Sequence, residues 1–205
     1  MSTQNSKEVK TEFITKLGIP FGNNLYFLHN RLTTLHVIFE EFNILYHEKN
    51  GNVGTINKYM PTMGLYLQNI LWDYMLLEIA KFMDPPASLQ KKNKNISLSS
   101  SLEFIEEPNL KKKLEDKLKN LKTQTGYVKE KRNKSLSHFD FEYNTGIKKI
   151  HNTSIASIRE TLRLFSEYLN EYHNFYFNST FHYSGDFISG GARSLLYHLR
   201  LLEKM

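Results

Sequence analysis

Residues 25–46, LYFLHNRLTTLHVIFEEFNILY, place an apolar side chain at every third or fourth position. The seven positions are Leu25, Leu28, Leu32, Leu35, Phe39, Phe42 and Tyr46. Because an α-helix has about 3.6 residues per turn, this spacing puts all seven on one face. The segment therefore predicts a long helix with one buried face, ending before Asn50-Gly51-Asn52.

Three other segments have a similar spacing and predict three more long helices. The first runs from about residue 59 to 83, and it is expected to be buried centrally because it is apolar around most of its girth. Asp84-Pro85-Pro86 ends it. The other two are defined by the stripes Leu110, Leu114, Leu118, Leu121, Thr125, Val128 and Arg132, and Ile155, Ile158, Leu162, Phe165, Leu169, Tyr172 and Tyr176.

Taken together, these patterns predict an all-α protein, an antiparallel bundle of four long helices. Two short helices are expected, one around residues 102–105 and one at residues 192–203. Residues 1–23 are expected to form a polar lead-in and residues 24–205 a single domain. We find no apolar secretory signal and no segment near the ~18 apolar residues of a membrane span, so a cytoplasmic protein is expected.

Composition narrows the possible chemistry. The 205 residues include no cysteine, which excludes disulfide scaffolds, thiolate zinc sites and cysteine nucleophiles. The eight histidines show no metal-ligand spacing, and no metal or cofactor is expected.

The net charge of +6 is unevenly distributed, because residues 89–134 hold thirteen Lys and Arg against six Asp and Glu. A local basic surplus favours a polyanion such as nucleic acid as partner, although a solvated lysine-rich helix face has the same composition.

Arg132-Asn133-Lys134-Ser135-Leu136-Ser137-His138 carries the most specific chemical signal. Imidazole titrates near pH ~6.5, so a histidine can take a proton from a ribose 2′-hydroxyl or give one to a leaving 5′-oxygen. A guanidinium stays charged and suits the extra negative charge of a phosphorane-like transition state. Arg31/His36 and Arg193/His198 have similar spacings, but both lie in regular helical patterns and are interpreted as ordinary face residues.

This string, followed by Asp140, resembles the Arg-x4–6-His signature of the HEPN superfamily (higher eukaryotes and prokaryotes nucleotide-binding), and the similar branch is its abortive-infection U-like group. A second segment agrees: Leu77–Pro85, LEIAKFMDP, and Asn95-Ile96-Ser97-Leu98 resemble that group's helix end and the helix start after it. Lys81 stands where the group usually has Arg.

The resemblance implies a helical bundle that dimerises and acts as a metal-independent endoribonuclease, often as the toxin of a toxin–antitoxin or phage-defence system with an antitoxin partner. Arg132 would bind the scissile phosphate, and His138 would be the general acid or base. Asn133 would position the phosphate or His138. Asp140 would orient His138. The residues expected to contact RNA are Lys129, Lys131, Lys134 and Tyr127, with further phosphate contacts from Lys111, Lys112, Lys113, Lys117, Lys119 and Lys122.

Three alternatives stay open from the residues alone. Tyr127 could stack on an unpaired base or simply pack in the core. The protein could be a non-catalytic dimer of the same fold that binds RNA, a nucleotide or a partner. It could also be an interaction protein whose lysine-rich helix contacts an acidic partner.

Overall fold

The computed structural model describes residues 6–48, 50–87, 94–132, 153–183 and 190–202. Within these ranges it contains helices and no β-strand, which confirms the all-α prediction. The helices are α1 Ser6–Leu17, α2 Ile19–Tyr46, α3 Asn52–Tyr59, α4 Pro61–Phe82, α5 Leu98–Ser101, α6 Pro108–Gln124, α7 Gly126–Lys131, α8 Ile155–Tyr172 and α9 Ala192–Leu201. A 3₁₀ turn, Leu102–Phe104, follows α5, and a π-helical turn, His173–Phe177, follows α8.

The apolar stripes face the interior as their spacing predicts. The first six stripe residues of α2 are buried, and so are the four leucines of α6. In α8, Ile158, Leu162, Phe165, Leu169 and Tyr172 are buried. Burial of one stripe per helix is the main source of helix stability in a folded protein, because isolated helices of this length are marginal in water.

The chain divides into two compact units. One comprises Met1–Leu32 and Ile79–His182, and the other Thr33–Glu78 and Tyr183–Met205. In the second unit, α9 packs against α3, and a cluster of Ile44, Leu45, Ile56, Ala192 and Leu196 forms the core. The first unit contains α6, α7 and α8, and among the described residues it holds Arg132 and the lysines of α6 and α7. The predicted single domain of residues 24–205 stays a prediction.

The polar lead-in contains a helix that the sequence analysis did not predict. α1 packs closely on the start of α2, and Phe13 is buried there. Gly22 permits the approach, because a Cβ at this position would lie 2.6 Å from the backbone oxygen of Phe13. Gly18, with φ of 78°, makes the turn between the two helices in a conformation that favours glycine.

The second predicted helix differs from its prediction in two ways. It begins at Pro61, and residues 52–59 before it form the separate helix α3. Its first half is also not central, because Met63 and Ile70 are 62% and 63% exposed. Its second half is buried as predicted, at Met75, Leu76 and Ile79. A helix that is apolar all round is buried only where other elements surround it. The apolar pattern of the helix does not show which of its turns those elements cover.

Two buried histidines lie side by side in the first unit. The rings of His29 on α2 and His173 on the π-helical turn have centroids 4.5 Å apart, with Phe13 and Phe181 against them. Burial lowers the pKa of His29 to about 3, with a further contribution from His173, and burial lowers the pKa of His173 to about 4. Both imidazoles are therefore neutral in the folded protein at neutral pH.

We expect this pair to make the protein acid-sensitive. In the unfolded chain each histidine takes up a proton below pH ~6.5, whereas the folded state does not until far lower pH, so the unfolded state is favoured on acidification. For each histidine, the free energy of unfolding should fall by up to about 1.4 kcal/mol for every pH unit of acidification. For the two histidines together, the fall between pH ~6.5 and ~5 is up to about 4 kcal/mol. Urea unfolding at several pH values measures this, and His173→Phe should roughly halve the slope.

Candidate functional site

Arg132 lies at the end of α7 and makes an ion pair with Asp84, the second residue after α4. Its guanidinium Nη1 is 2.5 Å from Asp84 Oδ1, and the two side chains are only 25% and 26% exposed. This pair joins the two sequence segments that carry the family resemblance, although 48 residues separate them. Because both groups are three-quarters buried, their attraction is less screened than that of a surface pair.

The Asp84 side of the pair is positioned by a turn that the sequence explains. Pro85 and Pro86 prevent α4 from continuing, as predicted. Asn95 then binds this turn twice: its side-chain amide donates to the Pro85 carbonyl at 2.9 Å, and its backbone amide donates to the Pro86 carbonyl at 2.9 Å. The start of α5 follows directly, capped by Ser97.

The Arg132 side is positioned by a break between α6 and α7. The predicted third helix is interrupted at Thr125, whose hydroxyl donates to the Leu121 carbonyl at 2.7 Å and whose backbone leaves the helical conformation. Val128 of α7 is then buried. Arg132 is four residues further, so it lies on the same side of the helix and is drawn toward the interior. This explains why an arginine at the end of a polar helix is largely buried.

A cleft of about 480 Å³ opens beside the ion pair. Its cations are Lys122, Lys129 and Arg132, its acid is Asp84, and its other lining is mostly apolar or small. The remaining lining residues are Ala80, Met83, Pro85, Pro86, Ser99, Thr125, Gly126 and Val128. A cleft of this size, lined by three cations and by mostly apolar or small residues, has room for a small anionic group with an attached ring, such as a nucleotide.

The other site residues predicted from the sequence are only partly within the described ranges. Lys129 is exposed and lines the cleft, whereas Lys131 is half-buried. Tyr127 is half-buried, its hydroxyl lies 3.4 Å from Thr161 Oγ1 on α8, and burial raises its pKa. This contact supports packing as one role of Tyr127. His138, Asn133, Asp140 and Lys134 lie outside the described residues.

The role of Asp84 in the cleft was not predicted from the sequence. Asp84 was interpreted as part of a helix stop and of the segment that resembles the family, and Lys122 was predicted to contact phosphate but not to line the cleft. A signal for Asp84 was available, since an acid directly before Pro-Pro was part of the segment that resembles the family. Nothing local in the sequence shows that this acid meets Arg132.

Within the described ranges, no group of three or more His, Asp or Glu side chains lies close enough together to hold a metal ion. Among the same residues, every helix is too short or too polar to traverse a bilayer.

Comparison with known proteins decides the family. The chain matches the HEPN family AbiU2 over residues 19–186, which includes Asp84, Arg132 and His138. The chain belongs to this family. The match confirms the resemblance to the abortive-infection U-like branch of the HEPN superfamily. No curated protein and no solved structure matches the chain. As an AbiU2-type HEPN domain, the protein has the helical fold that the stripes predicted.

Proposed function

We propose that this AbiU2-type domain is a metal-independent endoribonuclease of the cytoplasm, and that it acts as the toxin of a toxin–antitoxin or phage-defence system. One observation carries the proposal: Arg132, the first residue of the Arg/His string, is paired with Asp84, and both line a cleft that also contains Lys122 and Lys129. A guanidinium fixed in this way is prepared to bind a phosphodiester before the reaction begins, which is the arrangement that lowers a barrier most.

The proposed chemistry uses Arg132 and His138 on one phosphodiester. A histidine removes the proton of the ribose 2′-hydroxyl, and the oxygen attacks the adjacent phosphorus. Arg132 stabilises the added negative charge on the phosphate oxygens. The bond to the 5′-oxygen then breaks as that oxygen takes up a proton, which leaves a 2′,3′-cyclic phosphate and a 5′-hydroxyl. Asn133 would position the phosphate or His138, and Asp140 would orient His138.

The test of this function is expression in a bacterial host. Wild type should arrest growth and degrade cellular RNA, whereas His138→Ala should do neither at the same protein level. His198→Ala is the matched control, because Arg193/His198 has a similar spacing and His198 is exposed on α9. Growth arrest by His138→Ala equal to that of wild type would favour the alternative, a non-catalytic dimer that binds RNA, a nucleotide or an antitoxin.

The alternative has an observation of its own. Asp84 already balances the charge of Arg132, and the adjoining cleft is large enough for one nucleotide. A binding module would need this arrangement but not His138. RNA binding that survives His138→Ala, with no cleavage by wild type, is the result that this second function predicts.

We expect the active form to be a homodimer. The reaction needs one group that accepts a proton and one that donates a proton, and the Arg/His string supplies one histidine per chain. Two copies related by a two-fold axis would supply both. Light scattering at micromolar concentration should give twice the 24.1 kDa chain mass. A monomer that retains full ribonuclease activity would contradict this.

A further inference from the structure

The lysines of α6 fall on two sides of its buried stripe. Leu110, Leu114, Leu118 and Leu121 form the stripe. At about 100° per residue, Lys113 and Lys117 lie on one side, toward α8. On the other side, Lys111, Lys112, Lys119 and Lys122 lie within an arc of about 100°. These four residues are called the lysine flank below.

Ion pairs occupy the side toward α8. Lys113 Nζ is 2.6 Å from Glu171 Oε2, and Lys117 Nζ is 3.3 Å from Glu171 Oε1 and 4.0 Å from Glu167 Oε2. The carboxylates of α8 therefore neutralise these two lysines and present negative charge beside them. A polyanion gains little on this side, because the acids repel it and the lysines are already paired.

The lysine flank has a different environment. All four of its lysines are exposed. Glu115 lies within the same arc, so the formal charge of the flank is the sum of four lysines and one glutamate, or +3. Asp116 lies outside it. Lys122, at the end of the flank, also lines the cleft beside Arg132. Lys122 therefore belongs both to the flank and to the lining of the cleft.

We propose that the lysine flank binds the backbone of single-stranded RNA and leads it to the cleft. From Lys111 to Lys122 the helix rises about 16 Å. A stacked strand advances about 3.4 Å per nucleotide, so the flank spans about five nucleotides. Contacts of this kind go to phosphates and are independent of sequence, which suits a strand held beside a reacting position. The substrate would thus enter along α6. This inference rests on the proposed function only in that RNA is cut in the cleft; binding of RNA along the flank does not depend on cleavage.

The experiment compares two double variants with the same change in charge. Lys112→Ala/Lys119→Ala removes two lysines of the flank, and Lys113→Ala/Lys117→Ala removes the two paired lysines. Binding of a fluorescent oligouridine is measured between about 50 and 200 mM salt, with His138→Ala added to every protein to prevent cleavage. Circular dichroism checks that both variants keep the helical content of their parent.

The flank variant should reduce the steepness of log K against log salt by about 1.4, because each lost phosphate contact on a single strand contributes about 0.7. The paired-lysine variant should reduce it by less than about 0.5. With His138 intact, the flank variant should raise KM for RNA and leave kcat unchanged, since uniform binding is lost.

Equal slopes for the two variants, or no change in the flank variant, would overturn the proposal. Failure of the proposed function gives a different result. One outcome is that wild type does not cut RNA while the flank variant still shows the reduced slope of log K against log salt. In that case the flank binds RNA and the ribonuclease assignment fails. If wild type cuts RNA and the flank variant has an unchanged KM, the flank is only a solvated face.

Discussion

Replacing His138 with Ala is expected to reduce RNA cleavage by about 10²–10⁴-fold, because proton transfer to or from the reacting oxygens is lost. Arg132→Ala should cause a loss of similar or larger size, since the charge that stabilises the phosphorane is removed. The two losses should be far from additive in the double variant, because both groups serve one transition state. Initial rates on a labelled RNA measure all three.

Three controls accompany these variants. His198→Ala should cut RNA at the wild-type rate. Arg132→Lys keeps the positive charge but loses the planar pair of donors, so its rate should lie between those of Arg132→Ala and wild type. Circular dichroism should show a folded protein in every case. If His138→Ala retains the wild-type rate, the Arg/His mechanism is wrong; if both Ala variants unfold, the string is structural.

The second large effect is expected at Asp84. We expect Asp84→Ala to reduce kcat by about 10²-fold, because the arginine loses the carboxylate that fixes its guanidinium and a misplacement of about 1 Å has a cost of this order. Asp84→Asn should recover part of the rate, since the amide oxygen can still accept a hydrogen bond from Arg132. These results would identify Asp84 as a positioning residue that acts through Arg132.

A double-mutant cycle separates this role from a structural one. Asp84→Ala/Arg132→Ala should be no slower than Arg132→Ala alone, because the carboxylate has nothing left to position. Glu103→Ala is the control, since it removes a carboxylate that pairs with Lys94 at 3.8 Å outside the cleft. A faster Asp84→Ala enzyme would contradict the account and would mean that Asp84 competes with the phosphate for Arg132.

Local periodicity was sufficient to predict the helical fold. The stripes of α2, α6 and α8 could be predicted because each repeats over three turns or more. Helix α1 could not, because its fit depends on a single buried aromatic, Phe13, and on a contact across Gly22. The exposure of the first half of α4 was not predicted for a related reason. Met63 and Ile70 fit the apolar pattern, and whether such residues are covered depends on tertiary packing, which the pattern does not contain.

The candidate site was predictable from the sequence only in part. Arg132 was identified by residue type, spacing and resemblance, which are local features. Its partner Asp84 is 48 residues away, and a pairing over that distance depends on the path of the chain. The division of the α6 lysines also required the structure. The spacing puts Lys113 and Lys117 on one side of the stripe, but only the structure shows that this side faces the acids of α8.

The central claim is that the Arg132/His138 pair cleaves RNA without a metal ion, and the chemistry of the new ends tests it most directly. Purified protein is incubated with a defined RNA in excess EDTA, and the fragment ends are identified. We expect undiminished cleavage with 2′,3′-cyclic phosphate and 5′-hydroxyl ends, and at least about 10²-fold fewer of these ends with His138→Ala. Loss of cleavage in EDTA, or fragments with 5′-phosphate ends, would contradict it.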